Sequence, residues 1–251
     1  MLKKVWITGA SSGIGKALAI KFANEGWQVA ASARRENLLQ DLKKINSNIH
    51  SFPLDVTDKE KPNKIFNEIL QNFKTLDLCV FSTGIHDPES EKVFNTEKIR
   101  EIMETNFFGT VNCISAVNKY FKEKQSGHIS LVSSVAGYRG LPAASGYCAS
   151  KAALSNLAES LYFDFKRYNV RISLISPGFI KTPMTDQNKF PMPMIKSPEF
   201  AAEKMFTGLT KKNVFEIHFP LSFTIIMKLL KIMPNWLYFL LVKKGIQKIK
   251  Y

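Results

Sequence analysis

Residues 8–15 read TGASSGIG, directly after the short apolar run Val5–Thr8 and at the mouth of a helical pattern. No other feature limits so strongly what the chain can fold into. A strand that bends sharply into a helix needs a glycine at the bend, here Gly9. Gly13 lets the backbone approach a bound group, and Gly15 lets the helix pack closely on the strand. The helix N-terminus then presents unpaired N–H groups and a partial positive charge, a setting that suits a pyrophosphate. An ordinary strand-to-helix turn could carry the same glycines. The strand before and the helix after give the pattern its weight.

The rest of the chain repeats that alternation. Short β-rich runs at Val5–Thr8, Val29–Ala33, Ser51–Leu54, Leu78–Ser82, Ile129–Ser133, Arg171–Ser176 and Phe215–Phe219 are separated by helical patterns near 13–25, 36–45, 58–73, 96–124, 145–167 and 198–210. Most of the β runs are continuously apolar, as strands covered on both faces must be. The expected fold is α/β: one doubly wound parallel sheet of about seven strands with helices on both faces. No repeat or low-complexity linker divides it, so residues 1–220 are expected to form one domain, followed by a C-terminal helical tail at 221–251. Residues 179–197 break the rhythm with Pro183, Pro191 and Pro193, and read as a lid.

The turn resembles that of the short-chain dehydrogenase/reductase family, in its compact single-domain branch, whose glycine spacing TGxxxGxG is matched in full. The resemblance covers about residues 3–218. It implies a Rossmann-type fold and a nicotinamide dinucleotide held by Gly9, Ser11, Ser12, Gly13, Ile14 and Gly15. Relatives that prefer NAD carry an acid at the end of the second strand. Here that position is Ala33, followed by Arg34 and Arg35. Without an acid nothing repels a 2′-phosphate, and a guanidinium could pair with it. NADP(H) is therefore expected rather than NAD(H), with Arg34 the first choice of partner and Arg35 the second. Asp55 and Val56 match the positions beside the adenine. Gly84, in FSTG, is all that remains of the family's NNAG segment, whose asparagines brace the central strands.

Three YxxxK pairs occur, Tyr120/Lys124, Tyr147/Lys151 and Tyr162/Lys166, and so lysine-rich a chain produces roughly one by chance. Only Tyr147 has a serine 13 residues upstream, Ser134, at the end of an expected strand. Carbonyl reduction needs a hydride at carbon and a proton at oxygen. Tyr147 would supply the proton, and Lys151, one helical turn away, would lower the phenol pKa. Ser134 would donate to the substrate oxygen. By resemblance, Asn106 completes the set by binding a backbone carbonyl and a water. Pro177, Gly178, Ile180 and Thr182 form the turn beside the nicotinamide. The expected activity is an NADP(H)-dependent interconversion of ketone or aldehyde and alcohol. Two rivals are a non-catalytic NADP-binding sensor or scaffold on the same fold, and an epimerase or dehydratase of the broader superfamily. The first usually lacks the Tyr or the Lys. The second needs a larger C-terminal domain.

Composition narrows the partners. Cys79, Cys113 and Cys148 form no CxxC pair, and His50, His86, His128 and His218 show no metal spacing with them, so a reducing, cytoplasmic compartment and no metal are expected. The opening apolar stretch is too short for a signal-peptide core. The net charge is +14, and residues 221–251 hold six lysines, no acid, and 19 hydrophobic residues. Such a mixture suits an anionic membrane surface better than nucleic acid, which is not expected. The uncharged runs 217–227 and 232–242 are too short to span a bilayer. Thr224, Lys228, Lys231 and Asn235 mark a polar stripe on an otherwise apolar helix. One reading lays that helix in the interface of a membrane's inner face, with its lysines toward lipid phosphates. The other packs it on the protein, as a cover of the active site or a subunit contact. Ala136, Tyr138, Leu141, Pro142, Phe179, Met184, Met192 and Met194 are expected to line a pocket for a small hydrophobic carbonyl or alcohol. By resemblance the chain forms a dimer or tetramer through the helices at 96–124 and 145–167.

Overall fold

The computed structural model describes residues 2–247, with side chains through Lys243. Met1 and the tail residues 248–251, among them Lys248 and Lys250, lie outside it. Seven strands form one parallel sheet: β1 (Lys4–Thr8), β2 (Gln28–Ser32), β3 (Ile49–Ser51), β4 (Leu78–Phe81), β5 (Gly127–Val132), β6 (Val170–Pro177) and β7 (Glu216–Phe219). Their order is β3-β2-β1-β4-β5-β6-β7. The order reverses between β1 and β4, so the crevice beyond their carboxyl ends is where a ligand fits.

Two cores flank the sheet. On one face α1 (Gly13–Asn24), α2 (Glu36–Ile45) and α7 (Pro198–Lys211) bury Leu18, Phe22, Leu39 and Phe206 against Val5, Ile7 and Val80. On the other, α3 (Lys61–Phe73), α5 (Gly109–Lys124) and α6 (Ser145–Lys166) bury Ile65, Val117 and Leu154 against Trp6, Cys79 and Ile129. Strand residues therefore alternate between two apolar layers, which is why the sequence shows continuous apolar runs.

Three elements differ from expectation for local reasons. β3 lies at 49–51, at the edge of the sheet, rather than 51–54, although Phe52 and Leu54 still donate to Ala31 and Ala33 at 2.9 and 3.0 Å. α3 starts at Lys61, where Asp58 accepts from the Glu60 and Lys61 N–H groups at 2.9 and 3.0 Å and Pro62 occupies the first turn. The run 96–124 is not one α-helix. It comprises α4 (Thr96–Met103), a π turn at Glu104–Phe108, and α5.

The tail folds back as α8 (Leu221–Ile232) and α9 (Asn235–Gln247), broken at Met233–Pro234 because proline disfavours helix at the preceding residue. Part of its polar stripe lies against the protein, while Lys231 stays exposed. Thr224 is buried and bonded to His218 at 2.7 Å, and Lys228 pairs with Glu216 at 2.6 Å. Arg139 donates to the Leu230 carbonyl at 2.6 Å and to Asn235, and stacks on Tyr238 at 4.1 Å. These contacts hold the tail against residues 135–141, just beyond Ser134.

Candidate active site

The turn after β1 shows why two of its glycines cannot be replaced. Gly9 has φ +70, and a Cβ there would meet the Ser82 carbonyl at 2.8 Å; one on Gly15 would stand 2.3 Å from the Gly9 carbonyl. The start of α1 is thereby pressed onto the strand end. Ser12, at its N-cap, makes no side-chain cap bond. Its hydroxyl and that of Ser11 instead accept from the Arg35 guanidinium at 2.8 and 2.9 Å. A helix terminus without an internal cap, an arginine beside it and no acid at Ala33 together make a cradle for phosphate.

That cradle is one end of a cleft of about 360 Å³. Gly9, Ser11, Ser12, Gly13, Ile14, Gly15, Arg34, Arg35, Asp55, Val56, Gly84, Ser134, Tyr147, Lys151, Pro177, Gly178, Ile180 and Thr182 all line it. Residues named from seven separate stretches of sequence thus converge on one crevice. Asp55 orders the wall by accepting from Thr57 N–H and Oγ1 at 3.0 and 2.8 Å. Of the two arginines, Arg35 is the one tethered to the phosphate turn. Arg34 is exposed and makes no side-chain hydrogen bond among the described residues.

Ser134, Tyr147 and Lys151 form the other end. Tyr147 and Lys151 share one face of α6, and Ser134, lining the same cleft, accepts from Ala136 N–H at 3.1 Å and donates to the Pro177 carbonyl at 3.5 Å. Lys151 Nζ donates to the Val132 carbonyl at 3.0 Å and lies 5.7 Å from the Tyr147 ring centre. A Cβ on Gly84 would sit 3.3 Å from that nitrogen. Asn106 stands behind the cleft, fully buried, in the π turn. Its Nδ2 donates to the Ile85 carbonyl and to Ser150 Oγ, both at 3.0 Å, and its Oδ1 accepts from Ile85 N–H at 2.7 Å. Ser150 in turn donates to the Tyr147 carbonyl at 2.8 Å. The π turn rotates Asn106 out of helical phase so that it clamps the loop after β4 to the helix of Tyr147.

One expectation reverses. The Tyr147 hydroxyl is not held below its usual range: burial pushes it up to about 12, and the Ser134 side chain, which lowers it, offsets only part. Burial also brings the Lys151 ammonium down to about 8. Desolvation is the leading cause of both shifts.

The other YxxxK pairs are structural. Tyr120 accepts from Leu76 N–H at 2.9 Å, and Lys124 pairs with Asp77 at 3.0 Å, while Tyr162 is exposed. The segment FSTG is braced differently from NNAG: Thr8 Oγ1 accepts from Ser82 N–H at 3.1 Å. Of the residues expected to line a substrate pocket, Met184 borders the cleft. Tyr138 instead turns its hydroxyl to Glu216 and packs on Met227 of the tail. Burial and that carboxylate both raise its pKa.

Two site residues escaped the sequence reading. His86 stacks on the Tyr147 ring, centres 4.3 Å apart and planes at 21°. Burial lowers its pKa to about 4, so the ring is neutral at pH 7. Glu91 is buried, and its Oε2 accepts from the Gly146 and Tyr147 N–H groups at 2.6 and 3.2 Å, capping α6 from a distant loop. Glu91 Oε1 and His86 Nε2 face each other at 3.5 Å, and neither has a hydrogen-bond partner among the described residues. His86 follows β4 at the carboxyl edge of the sheet, and that position was its only signal. Glu91 had none.

The sequence profile described as short chain dehydrogenase matches residues 3–191. The chain belongs to that family. Among short-chain dehydrogenase relatives it is 35% identical, over 92% of its length and 93% of the other's, to an oxidoreductase of Myxococcus xanthus (strain DK1622). It is 31% identical, over 72% of its length and 75% of the other's, to the 3-oxoacyl-(acyl-carrier-protein) reductase FabG of Thermotoga maritima. The solved structure of ElxO with NADP bound superposes with a TM-score of 0.77 at 27% identity, covering 87% of this chain and 98% of that one. A short-chain dehydrogenase from Streptomyces avermitilis shares the fold over the full length of both chains, with a TM-score of 0.83 and 22% identity.

Proposed function

We propose that the chain is an NADP(H)-dependent oxidoreductase that interconverts a ketone or aldehyde and an alcohol, acting on a hydrophobic substrate. The observation that carries this reading is the cleft itself. It joins a phosphate cradle with two arginines and no acid at one end to the Ser134–Tyr147–Lys151 set at the other. The NADP bound by ElxO and the carbonyl chemistry in the name of the Thermotoga relative support the same reading.

NADPH, when bound, supplies the hydride. Ser11, Ser12 and the open N-terminus of α1 would hold its phosphates, with Arg35 and Arg34 toward the 2′-phosphate. Tyr147 donates its proton to the carbonyl oxygen as that oxygen gains negative charge, and in oxidation takes it back. Ser134 donates a hydrogen bond to the same oxygen. Lys151 places a positive charge beside the phenolate that Tyr147 becomes, lowering the cost of its ionisation at that moment. His86, neutral and flat against the Tyr147 ring, fixes the ring's orientation.

The test is a panel of aldehydes and ketones of increasing chain length, followed by loss of NADPH absorbance, with Tyr147→Phe alongside. Turnover of the apolar members by the wild-type chain, lost in Tyr147→Phe, is expected. Silence of the wild type across the whole panel overturns the reading.

A further inference from the structure

The tail is amphipathic the wrong way round for a helix pair in water. Most of its polar stripe, Thr224, Lys228 and Asn235 but not the exposed Lys231, is spent on the protein, and its apolar side chains point out. Among the described residues, nineteen large hydrophobic side chains are strongly exposed, and nine of them lie between Leu221 and Leu241. Ile225, Leu229 and Ile232 on α8 continue into Trp236, Phe239 and Leu240 on α9, with Ile232 79% and Trp236 70% exposed. Monomeric proteins seldom leave such a continuous apolar face uncovered.

We propose that this face docks on an anionic lipid bilayer, with α8 and α9 lying in the plane of the interface. Charge decides between the two coverings the chain could have. A second copy meeting it across a two-fold axis would bring this segment against itself. Residues 221–251 hold six lysines and no acid, and only Lys228 has a counter-charge among the described residues, on Glu216, so that contact sets like charges together. An anionic surface supplies the missing sign. Four of the six, Lys243, Lys244, Lys248 and Lys250, fall at the end of the segment, after the apolar face. In sequence they make a polybasic stretch following the apolar one, and a lipid-buried apolar segment plus a polybasic stretch is the two-signal arrangement that makes peripheral binding stable. The helices cannot cross: with 12 and 13 residues they are about 18 and 20 Å long, against about 30 Å of hydrocarbon. Among the described residues no helix is long and apolar enough to span. Trp236 is a side chain suited to the headgroup level.

This inference stands apart from the choice of substrate and cofactor. Flotation of the full chain with vesicles of phosphatidylglycerol mixed with phosphatidylcholine tests it, beside pure phosphatidylcholine vesicles. The comparison chain carries Ile225→Ser, Leu229→Ser, Ile232→Ser and Trp236→Ser, all on the outward face. Wild-type chain should float with the anionic vesicles, with a blue shift of tryptophan emission that the variant lacks. Binding should fall about tenfold or more both on neutral vesicles and in the serine variant. Melting temperature and NADPH binding, read on the same samples, show that the variant is folded. Equal recovery of both proteins with anionic vesicles overturns the proposal. So does a concentration-dependent dimer, measured by light scattering, that the serine substitutions abolish while vesicles bind neither protein.

Discussion

Tyr147 and Lys151 sit one helical turn apart, and burial moves their protons in opposite directions, the phenol up to about 12 and the ammonium down to about 8. Reduction needs both protons in place, so its rate should fall as pH rises through about 8, where Lys151 loses its charge. The sign for stability is the reverse. A lysine whose folded pKa lies below its ordinary 10.5 binds fewer protons folded than unfolded between about 8 and 10.5, so its contribution to stability rises with pH across that window. Lys151→Met should abolish turnover and remove that rise, as denaturant titrations at pH 7 and pH 10 would show. At the cleft's far end, Arg35→Ala and Arg34→Ala should each raise the KM for NADPH, by about 10- to 100-fold where a charge-assisted bond is lost, with little effect on NADH. The tether to Ser11 and Ser12 places the larger loss at Arg35. These residues were legible because each lies within a few positions of a motif. His86 and Glu91 were not, since Glu91 meets Tyr147 across 56 residues of chain and no local pattern encodes that meeting.

The catalytic helix depends on contacts made far from it in sequence. α6 begins without a side-chain cap of its own, and Glu91 supplies the acceptor for two of its first N–H groups. Glu91→Ala leaves both buried and unpaired, which should cost about 1–3 kcal/mol in chemical denaturation, while Glu91→Gln, which keeps an acceptor, should recover most of it. The tail depends on Arg139 in the same way, because that guanidinium gathers the last carbonyls of α8 and the side chain of Asn235. In Arg139→Ala, amide exchange should speed up in α8 and α9 and leave the central strands unchanged. Helix periodicity in the sequence located these elements well. It could not show the π turn at Glu104–Phe108 or which face of the tail turns inward, because both are settled by packing partners rather than by spacing.

At the scale of the molecule, the strand–helix rhythm fixed a parallel sheet, and the reversal of strand order between β1 and β4 opened the crevice into which the named residues converge. Apolar runs report that a strand is covered on both faces, so the architecture could be read in advance. The direction of the pKa shift on Tyr147 could not, since it turns on how much water the assembled cleft excludes. The central claim is that this cleft binds NADP(H) at one end and moves a proton through Tyr147 at the other. Single-turnover reduction of the best carbonyl from the panel, with NADPH affinity measured on the same samples, tests it most directly in wild-type chain and Tyr147→Phe. The account predicts an affinity unchanged within about twofold and a rate lower by about 10²–10⁴-fold in the variant. A variant that keeps the wild-type rate, or one that loses NADPH binding in step with its rate, would contradict it.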